Sequence, residues 1–334
     1  MEGVKTTMQT RKLGYTDLYL TTIGFGAWAI GGGDWEWGWG PQDDRDSIAA
    51  IHKALDLGIN WIDTAAVYGL GHSEEIVGRA IRGRRDQVIL ATKCGLVWEP
   101  GARRATNRLK AWSVRQEAEN SLRRLGVDVI DLYQIHWPVP DADIEEAWAE
   151  IARLMEEGKV RYGGVSNFST SQLKRVQAIH PVASLQPPYS LLDREVEKEL
   201  LAYCAANNIG VVAYSPMASG LLTGKYTRER IAAMPPEDWR HRSRHFREPE
   251  LSANLALIEK LKVIAERHGR PLGQLAVAWV LRRPEVTSAI VGARNPAQIA
   301  EIAPASDWQL PEEDIREIEA LLAEREAMLA GQVA

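Results

Sequence analysis

Gly58-Ile-Asn-Trp-Ile-Asp-Thr-Ala-Ala-Val-Tyr-Gly-Leu-Gly-His-Ser73 is the stretch on which the fold of this chain turns. Gly58 stops a helix, Ile59 to Ile62 form a short apolar run, and Asp63 ends that run. Tyr68 follows inside a glycine-rich turn that closes at Ser73. A carboxylate thus stands at the end of a buried strand, and a phenol stands in the loop beyond it. In a barrel of parallel strands that edge carries the chemistry. Taken singly, the plainer reading of each is a cap and an ordinary loop residue. The neighbouring units decide.

Upstream, Asp44 to Leu57 places Ile48, Ile51 and Leu55 on one helical face. Before it, Thr22-Ile-Gly-Phe-Gly26 is a first buried strand, with Ala27 and Trp28 at its exit. Gly31 to Gly40 is too glycine-rich for an element interior and carries Trp35, Trp37 and Trp39 at alternate positions. It is either a packed surface loop or an aromatic wall over a pocket. Met8 to Leu20 forms a hairpin around Gly14-Tyr-Thr-Asp17, suited to plug one end of a barrel.

Downstream the strand–helix unit recurs. Ser73 is the expected N-cap of a helix over Glu74–Ile81. Val88 to Lys93 is a strand ending in a lysine, which either snorkels or pairs with Asp63. Ser113 and Gln116 have capping-box spacing for a helix to Leu125, as have Asp143 and Glu146 for a helix to Glu157, and Ser169 and Gln172 for a third. Between them lie strands ending at His136 and at Ser166-Asn167. Val182 to Leu185 ends at Gln186, a helix is expected over Asp193–Ala206, and Gly210 to Ser215 is the next strand. Met217 to Glu250 is irregular, the kind of length that serves as a lid. Helices over Leu251–His268 and Leu272–Arg282 lead to a last strand, Thr287–Val291, then to a helix opening after Gly292 and a charged one over Glu312–Leu329.

Eight strands, near residues 22, 59, 88, 129, 160, 182, 210 and 287, alternate with helices. That alternation calls for a parallel sheet, and eight units favour a closed (β/α)8 TIM barrel, residues 1–334 forming one domain. Gly24, Gly26 and Gly31 do not make the dinucleotide fingerprint of an open Rossmann sheet, and no P-loop or His-Glu-x-x-His motif is present. A net charge of −5 gives no global field for nucleic acid or an anionic membrane. The clusters Arg82–Arg85 and Arg240–His245 are expected to be solvated loop charge. Two cysteines, Cys94 and Cys204, exclude a disulfide framework and a cysteine-built zinc site. The polar start of the chain lacks a signal-peptide core and no apolar run spans a membrane, so the expectation is a soluble, cytoplasmic protein.

The strand ends, in order, present Asp63, Lys93, His136, Ser166-Asn167, Gln186, Tyr214-Ser215 and Gly292. In a barrel they converge on one face. A carbonyl receiving a hydride there needs a proton on its oxygen, and a phenol can supply it. A lysine ammonium about 4 Å away favours the phenolate by roughly 4 kcal/mol before desolvation. That lowers the phenol's pKa by at most about 3, and burial opposes it. Asp63 would hold Lys93, and His136 would orient the carbonyl oxygen. No metal is needed.

Ile62-Asp-Thr-Ala-Ala-Val-Tyr-Gly-Leu-Gly-His-Ser-Glu74, the strand-end Lys93 and Gln134-Ile-His-Trp-Pro138 resemble the aldo-keto reductases over about residues 10 to 325. The likeness is to bacterial NADPH-dependent members, related to the branch that includes the potassium-channel β subunits. It implies the (β/α)8 barrel with its hairpin plug and an extra C-terminal helix. It also implies hydride exchange between a nicotinamide cofactor and a small-molecule carbonyl, with Asp63, Tyr68, Lys93 and His136 as the catalytic tetrad. By the same resemblance Ala27, Trp28 and Asp63 lie beside the nicotinamide ribose, and Ser166, Asn167 and Gln186 take its carboxamide while Tyr214 stacks on the ring. Ser215, Pro216, Met217, Ser219, Gly220, Leu221 and Lys225 fold over the pyrophosphate. Gly292, Arg294, Gln298 and Glu301 face the adenosine, and Trp28, Tyr68, His136 and Trp137 face the substrate. Gly292-Ala293 and Ile302 depart from the family's common Lys-Ser and Asn, which weakens the grip on a 2′-phosphate. Arg294 restores it as a bidentate ligand at a helix start, so NADPH is expected over NADH. Substrate choice is expected from the Trp-rich loop 34–39, Trp98, the 94–112 loop and the C-terminal helix. The same residues serve a sugar or polyol dehydrogenase, and a cofactor-binding regulatory subunit is the further alternative. Oligomeric state is open.

Overall fold

A computed structural model describes residues 8–333. Eight strands close a barrel in which each pairs parallel with its neighbours in the sequence. They are β1 Ile23–Gly26, β2 Trp61–Asp63, β3 Ile89–Cys94, β4 Ile130–Ile135, β5 Val160–Ser166, β6 Ser184–Gln186, β7 Gly210–Ala213 and β8 Val286–Gly292. All eight expected strands are present. Residues 1–7 and 334 of the expected single domain lie outside the described residues.

Helices cover the outside: α1 Asp44–Asp56, α2 His72–Ile81, α3 Ala111–Leu125, α4 Ile144–Glu156, α5 Thr170–Gln177 and α6 Leu200–Ala206. After β7 come α7 Arg228–Ala232, α8 Glu250–Arg267 and α9 Leu272–Leu281, and after β8 come α10 Pro296–Ile302 and the extra α11 Glu312–Val333. α4 shows why these segments are helical. Ile144, Ala147, Trp148, Ile151 and Leu154 fall on one stripe and are buried against the barrel, while Glu145, Glu146 and Arg153 stay outward. Each such aliphatic side chain contributes about 1.5–3 kcal/mol when fully buried.

The barrel interior is layered. Side chains two residues apart on a strand share a face. Trp61, Ala91 and Leu132 form an apolar layer with Leu13, Leu18 and Leu20 of the hairpin, whose strands are Thr10–Lys12 and Tyr19–Thr21. The hairpin therefore plugs the end of the barrel from which the strands start. Gly24 makes room for Trp61: a Cβ there would lie 2.0 Å from the indole ring. Two residues further along the same three strands stand Asp63, Lys93 and Gln134, all buried and all polar. The layer change carries the chain from core to site.

Local signals failed where tertiary partners outcompeted them. Ser73 is not a cap. α2 starts at His72, and Ser73 Oγ donates instead to Ala27 O at 2.9 Å, tying β1 to α2. Ser113 lies inside α3 and its hydroxyl donates to Glu117. Asp143 and Glu146 form no capping box, because both carboxylates bind Lys110. Ser169–Gln172 is a complete capping box. The helix expected over Asp193–Ala206 shrinks to α6 plus a 3-10 turn at Glu195–Glu197, since Asp193 is held by Arg244 and His245. The basic clusters are not simply solvated: Arg85 pairs with buried Asp131, and Arg240 and His245 are themselves buried.

Candidate active site

Asp63 closes β2, Lys93 sits in β3, and His136 directly follows β4. Lys93 Nζ donates to Asp63 Oδ2 at 2.7 Å, to Thr64 O at 2.9 Å and to Tyr68 Oη at 3.2 Å. Of the two readings left open for Lys93, the ion pair is the one observed, on a side chain that is only 1% exposed. The Tyr68 ring lies edge-on to His136, with centroids 5.7 Å apart. The turn that presents Tyr68 needs the glycine after it. Gly69 has φ +62°, and a Cβ there would meet Gly31 O at 1.9 Å. Leu70 also has positive φ, which stores strain beside the phenol.

Burial sets the protonation states. It raises the Tyr68 phenol well above its ordinary pKa, and the charge of Asp63 adds to that. The expected downward pull of Lys93 is therefore outweighed, and Tyr68 is a neutral phenol. Burial lowers the Lys93 pKa while Asp63 and, from farther away, Glu74 support its charge. Glu74 is fully buried and accepts from Thr92 Oγ1 at 2.6 Å and Arg124 Nε at 2.7 Å. His136 falls well below its usual pKa, through desolvation and the nearby Lys93, and is neutral.

A cavity of about 1040 Å³ runs from Tyr68 and His136 to Gln298 and Glu301. Of the sequence-derived site residues, Ala27, Lys93 and Leu221 do not line it, and Ala27 and Leu221 are fully buried core. Ser166, Asn167, Gln186 and Tyr214 form one bonded patch. Ser166 Oγ donates to Gln186 O, Asn167 Nδ2 to His136 O, and Tyr214 Oη to Asn167 Oδ1. Ser215, Ala218 and Ser219 all have positive φ beside Gly220, a backbone arrangement that makes anion-accepting concavities. Pro216 and Met217 lie in the same wall, and Gly292 leaves open space, with only Gly26 O within 4 Å of a Cβ added there. An elongated, anion-bearing ligand fits this channel.

Two of the expected phosphate and adenosine contacts are already committed to protein partners. Lys225 Nζ binds both carboxylate oxygens of Glu301 at 2.7 Å. Arg294 donates to Gln42 Oε1 at 2.7 Å, to Trp39 O at 3.2 Å and to Pro41 O. Arg294 thus ties down the Trp-rich loop, where the sequence reading gave it the adenosine end and a 2′-phosphate. That loop is a wall. Trp28, Trp37 and Trp39 pack around Trp239, Arg240 covers Trp39, and Arg242 covers Trp37. Trp35 packs on Tyr68, and Trp137 stacks on His136. Trp98 and α11 do not line the cavity; from the 94–112 loop Leu96, Ala105 and Asn107 do. The sequence reading missed Trp239, Arg240 and Gln134. For Gln134 a signal existed: an amide between Tyr133 and Ile135 in a buried strand.

A model of the aldo/keto reductase family matches residues 22–323. The chain belongs to the aldo/keto reductase family. It is 41% identical over 319 residues to the aldo-keto reductase YhdN of Bacillus subtilis, covering 94% of both chains. It is 37% identical to an NADH-specific methylglyoxal reductase of Escherichia coli, covering 92% of this chain and 96% of that one. The glycerol dehydrogenase AKR11B4 from Gluconobacter oxydans superposes with a TM-score of 0.86 at 39% identity, covering 95% of each chain. This aldo-keto reductase is an oxidoreductase of carbonyl and alcohol groups that uses a nicotinamide cofactor. No described helix is long and apolar enough to cross a membrane.

Proposed function

We propose that this aldo-keto reductase works with NADPH on neutral aldehydes and ketones, with Tyr68 as the general acid. The observation that carries the reading is the Lys93 ammonium held between Asp63 and Tyr68, while Tyr68 and His136 line one cavity. When bound, a reduced nicotinamide supplies the hydride. Tyr68, protonated because it is buried, gives its proton to the oxygen of the new alcohol. Lys93 stabilises the phenolate left behind, and Asp63 keeps Lys93 charged and in place. Neutral His136 donates a hydrogen bond to the carbonyl oxygen and turns it toward Tyr68. In the alcohol-oxidising direction the same groups run in reverse.

Trp28, Trp35 and Trp137, with Val67, Leu96 and Val139, give the Tyr68 end of the cavity an apolar wall. The other end holds Lys225, Arg230, Arg240 and Arg294, which supports a phosphate-bearing nicotinamide cofactor, and the preference for NADPH rests on Arg294 reaching a 2′-phosphate. Ser166, Asn167, Gln186 and Tyr214 would hold the nicotinamide, the 215–221 segment the pyrophosphate, and Gly292, Arg294, Gln298 and Glu301 the adenosine end. Polyol oxidation is the second reading, favoured by the likeness to a glycerol dehydrogenase. A cytoplasmic setting goes with either, supported by two buried, unpaired cysteines.

The test is cofactor absorbance with NADPH and a nitrobenzaldehyde. Tyr68→Phe should abolish turnover and leave cofactor binding, read by tryptophan quenching, near normal. Turnover by Tyr68→Phe would remove Tyr68 as the acid. Cofactor binding without turnover on a broad carbonyl panel would favour a regulatory role.

A further inference from the structure

Asp63 binds Lys93 through Oδ2, and its second oxygen has partners of its own. Oδ1 accepts from Gln186 Nε2 at 2.9 Å and from Gln134 Nε2 at 3.4 Å. The second proton of Gln186 Nε2 goes to Gln134 Oε1 at 3.3 Å. All three side chains are at most 3% exposed. Gln134 does not line the cavity, whereas Asp63 and Gln186 do. Gly164, paired with Gln134 across β4 and β5, leaves the space it occupies: a Cβ at Gly164 would lie 3.1 Å from Gln134 Cγ.

We propose that Gln134 is a positioning residue that fixes the amide of Gln186 with its carbonyl oxygen turned to the cavity, ready to accept from a primary carboxamide. This rests on the reading of Gln186 as a nicotinamide contact. Donor and acceptor counting forces the direction. An ionised Asp63 only accepts, so both glutamines must point their amino groups at it. Gln134 then faces Gln186 with an oxygen, which takes the second Gln186 proton. Were the Gln186 amide reversed, its oxygen would confront both the Asp63 carboxylate and the Gln134 carbonyl, and two acceptors would meet without a proton between them. The charge that places Lys93 thereby also decides which end of Gln186 meets the ligand, and Gln134 closes the ring of bonds. A leucine at position 134 would suit its place between Tyr133 and Ile135, with Leu132 on the same face, so burial alone does not explain an amide here.

The experiment compares wild type with Gln134→Leu, and with Gln134→Met as a longer apolar side chain in case the first is poorly folded. Tryptophan quenching gives the Kd for NADP+ and for its 3-acetylpyridine analogue, in which a methyl group replaces the carboxamide NH2. Wild type should bind NADP+ more tightly than the analogue, because only the carboxamide can donate to Gln186. The variants should narrow that ratio by about threefold or more, since the Gln186 amide loses one of its two anchors. A wild-type ratio near one overturns the underlying reading of Gln186. A wild-type preference that either variant keeps unchanged, whatever its melting temperature, leaves that reading standing and overturns the role of Gln134.

Discussion

Trp61 and Asp63 are two residues apart on one strand, as are Ala91 and Lys93, and Leu132 and Gln134. The first of each pair packs against the hairpin leucines in an apolar layer. The second belongs to a ring of charge and amide hydrogen bonds. The backbone is the same, so the difference lies in what each layer demands of its neighbours. The lower layer mainly needs volume and shape, its one polar demand being the Trp61 Nε1 proton, which goes to Ser288 Oγ and Thr21 O. The upper layer needs partners, because a buried ion is costly unless each of its lone pairs and protons is met. Strain largely follows the same division: Leu70, Asn167, Ser215, Ala218 and Ser219, held at positive φ, lie on the loops beyond the strand ends, and Asn208, just before β7, is the exception among the described residues.

If the division is sound, one variant in each layer should fail in a different way. Tyr68→Phe should lower kcat by about 10⁴-fold and barely change the melting temperature. Trp61→Ala should do the reverse, losing about 3–5 kcal/mol of stability in a urea titration while the folded enzyme keeps its kcat. A Trp61→Ala enzyme that is stable but slow would break the comparison.

A smaller effect tests the loop above the barrel. Glu117 on α3 accepts from Gly95 N at 2.8 Å, and burial raises its pKa to about 7. A carboxyl raised in the folded state binds its proton more tightly there than in the unfolded chain. Its contribution is therefore complete below about pH 4.5 and is lost as pH rises toward 7. His136 has the opposite sign, since a depressed histidine weakens the fold as pH falls below its ordinary value. Only the difference between variants isolates Glu117. Relative to Glu117→Gln, wild type should lose at most about 3 kcal/mol between pH 4.5 and 7, read from urea midpoints. Parallel curves would place an ionised carboxylate in this site.

The smallest effect concerns Arg294, which touches the Trp-rich loop in this structure and is proposed to hold a phosphate. Arg294→Ala should weaken NADPH binding by roughly tenfold more than NADH binding. Equal losses would leave it only the loop contact with Trp39, Pro41 and Gln42.

The barrel was legible because periodicity is local. Eight apolar runs alternating with amphipathic helices need no knowledge of distant contacts, and Asp63, Lys93 and His136 announced themselves as ionisable residues at strand ends. Of the three capping boxes expected, only Ser169–Gln172 formed, where the hydroxyl's other partners, Ser171 and Gln172, lie in the same first turn. Ser73 and Ser113 carry the same local signal and spend it on Ala27 O and Glu117. Arg240 and His245 looked like surface charge because what buries them comes from far away in the sequence: besides the local carboxylates Asp238 and Glu250, Arg240 covers Trp39 and His245 pairs with Asp193.

By itself, then, the sequence determined the order of the elements, the strand-end position of Asp63, Lys93 and His136, and the loop position of Tyr68. Those follow from residue type and spacing along the chain. Only the tertiary structure decided that burial outweighs Lys93 at the Tyr68 phenol, that Arg294 holds a loop, and that Gln134 and Gln186 share the free oxygen of Asp63. These depend on desolvation and on pairing across strands, and both exist only once the barrel has closed.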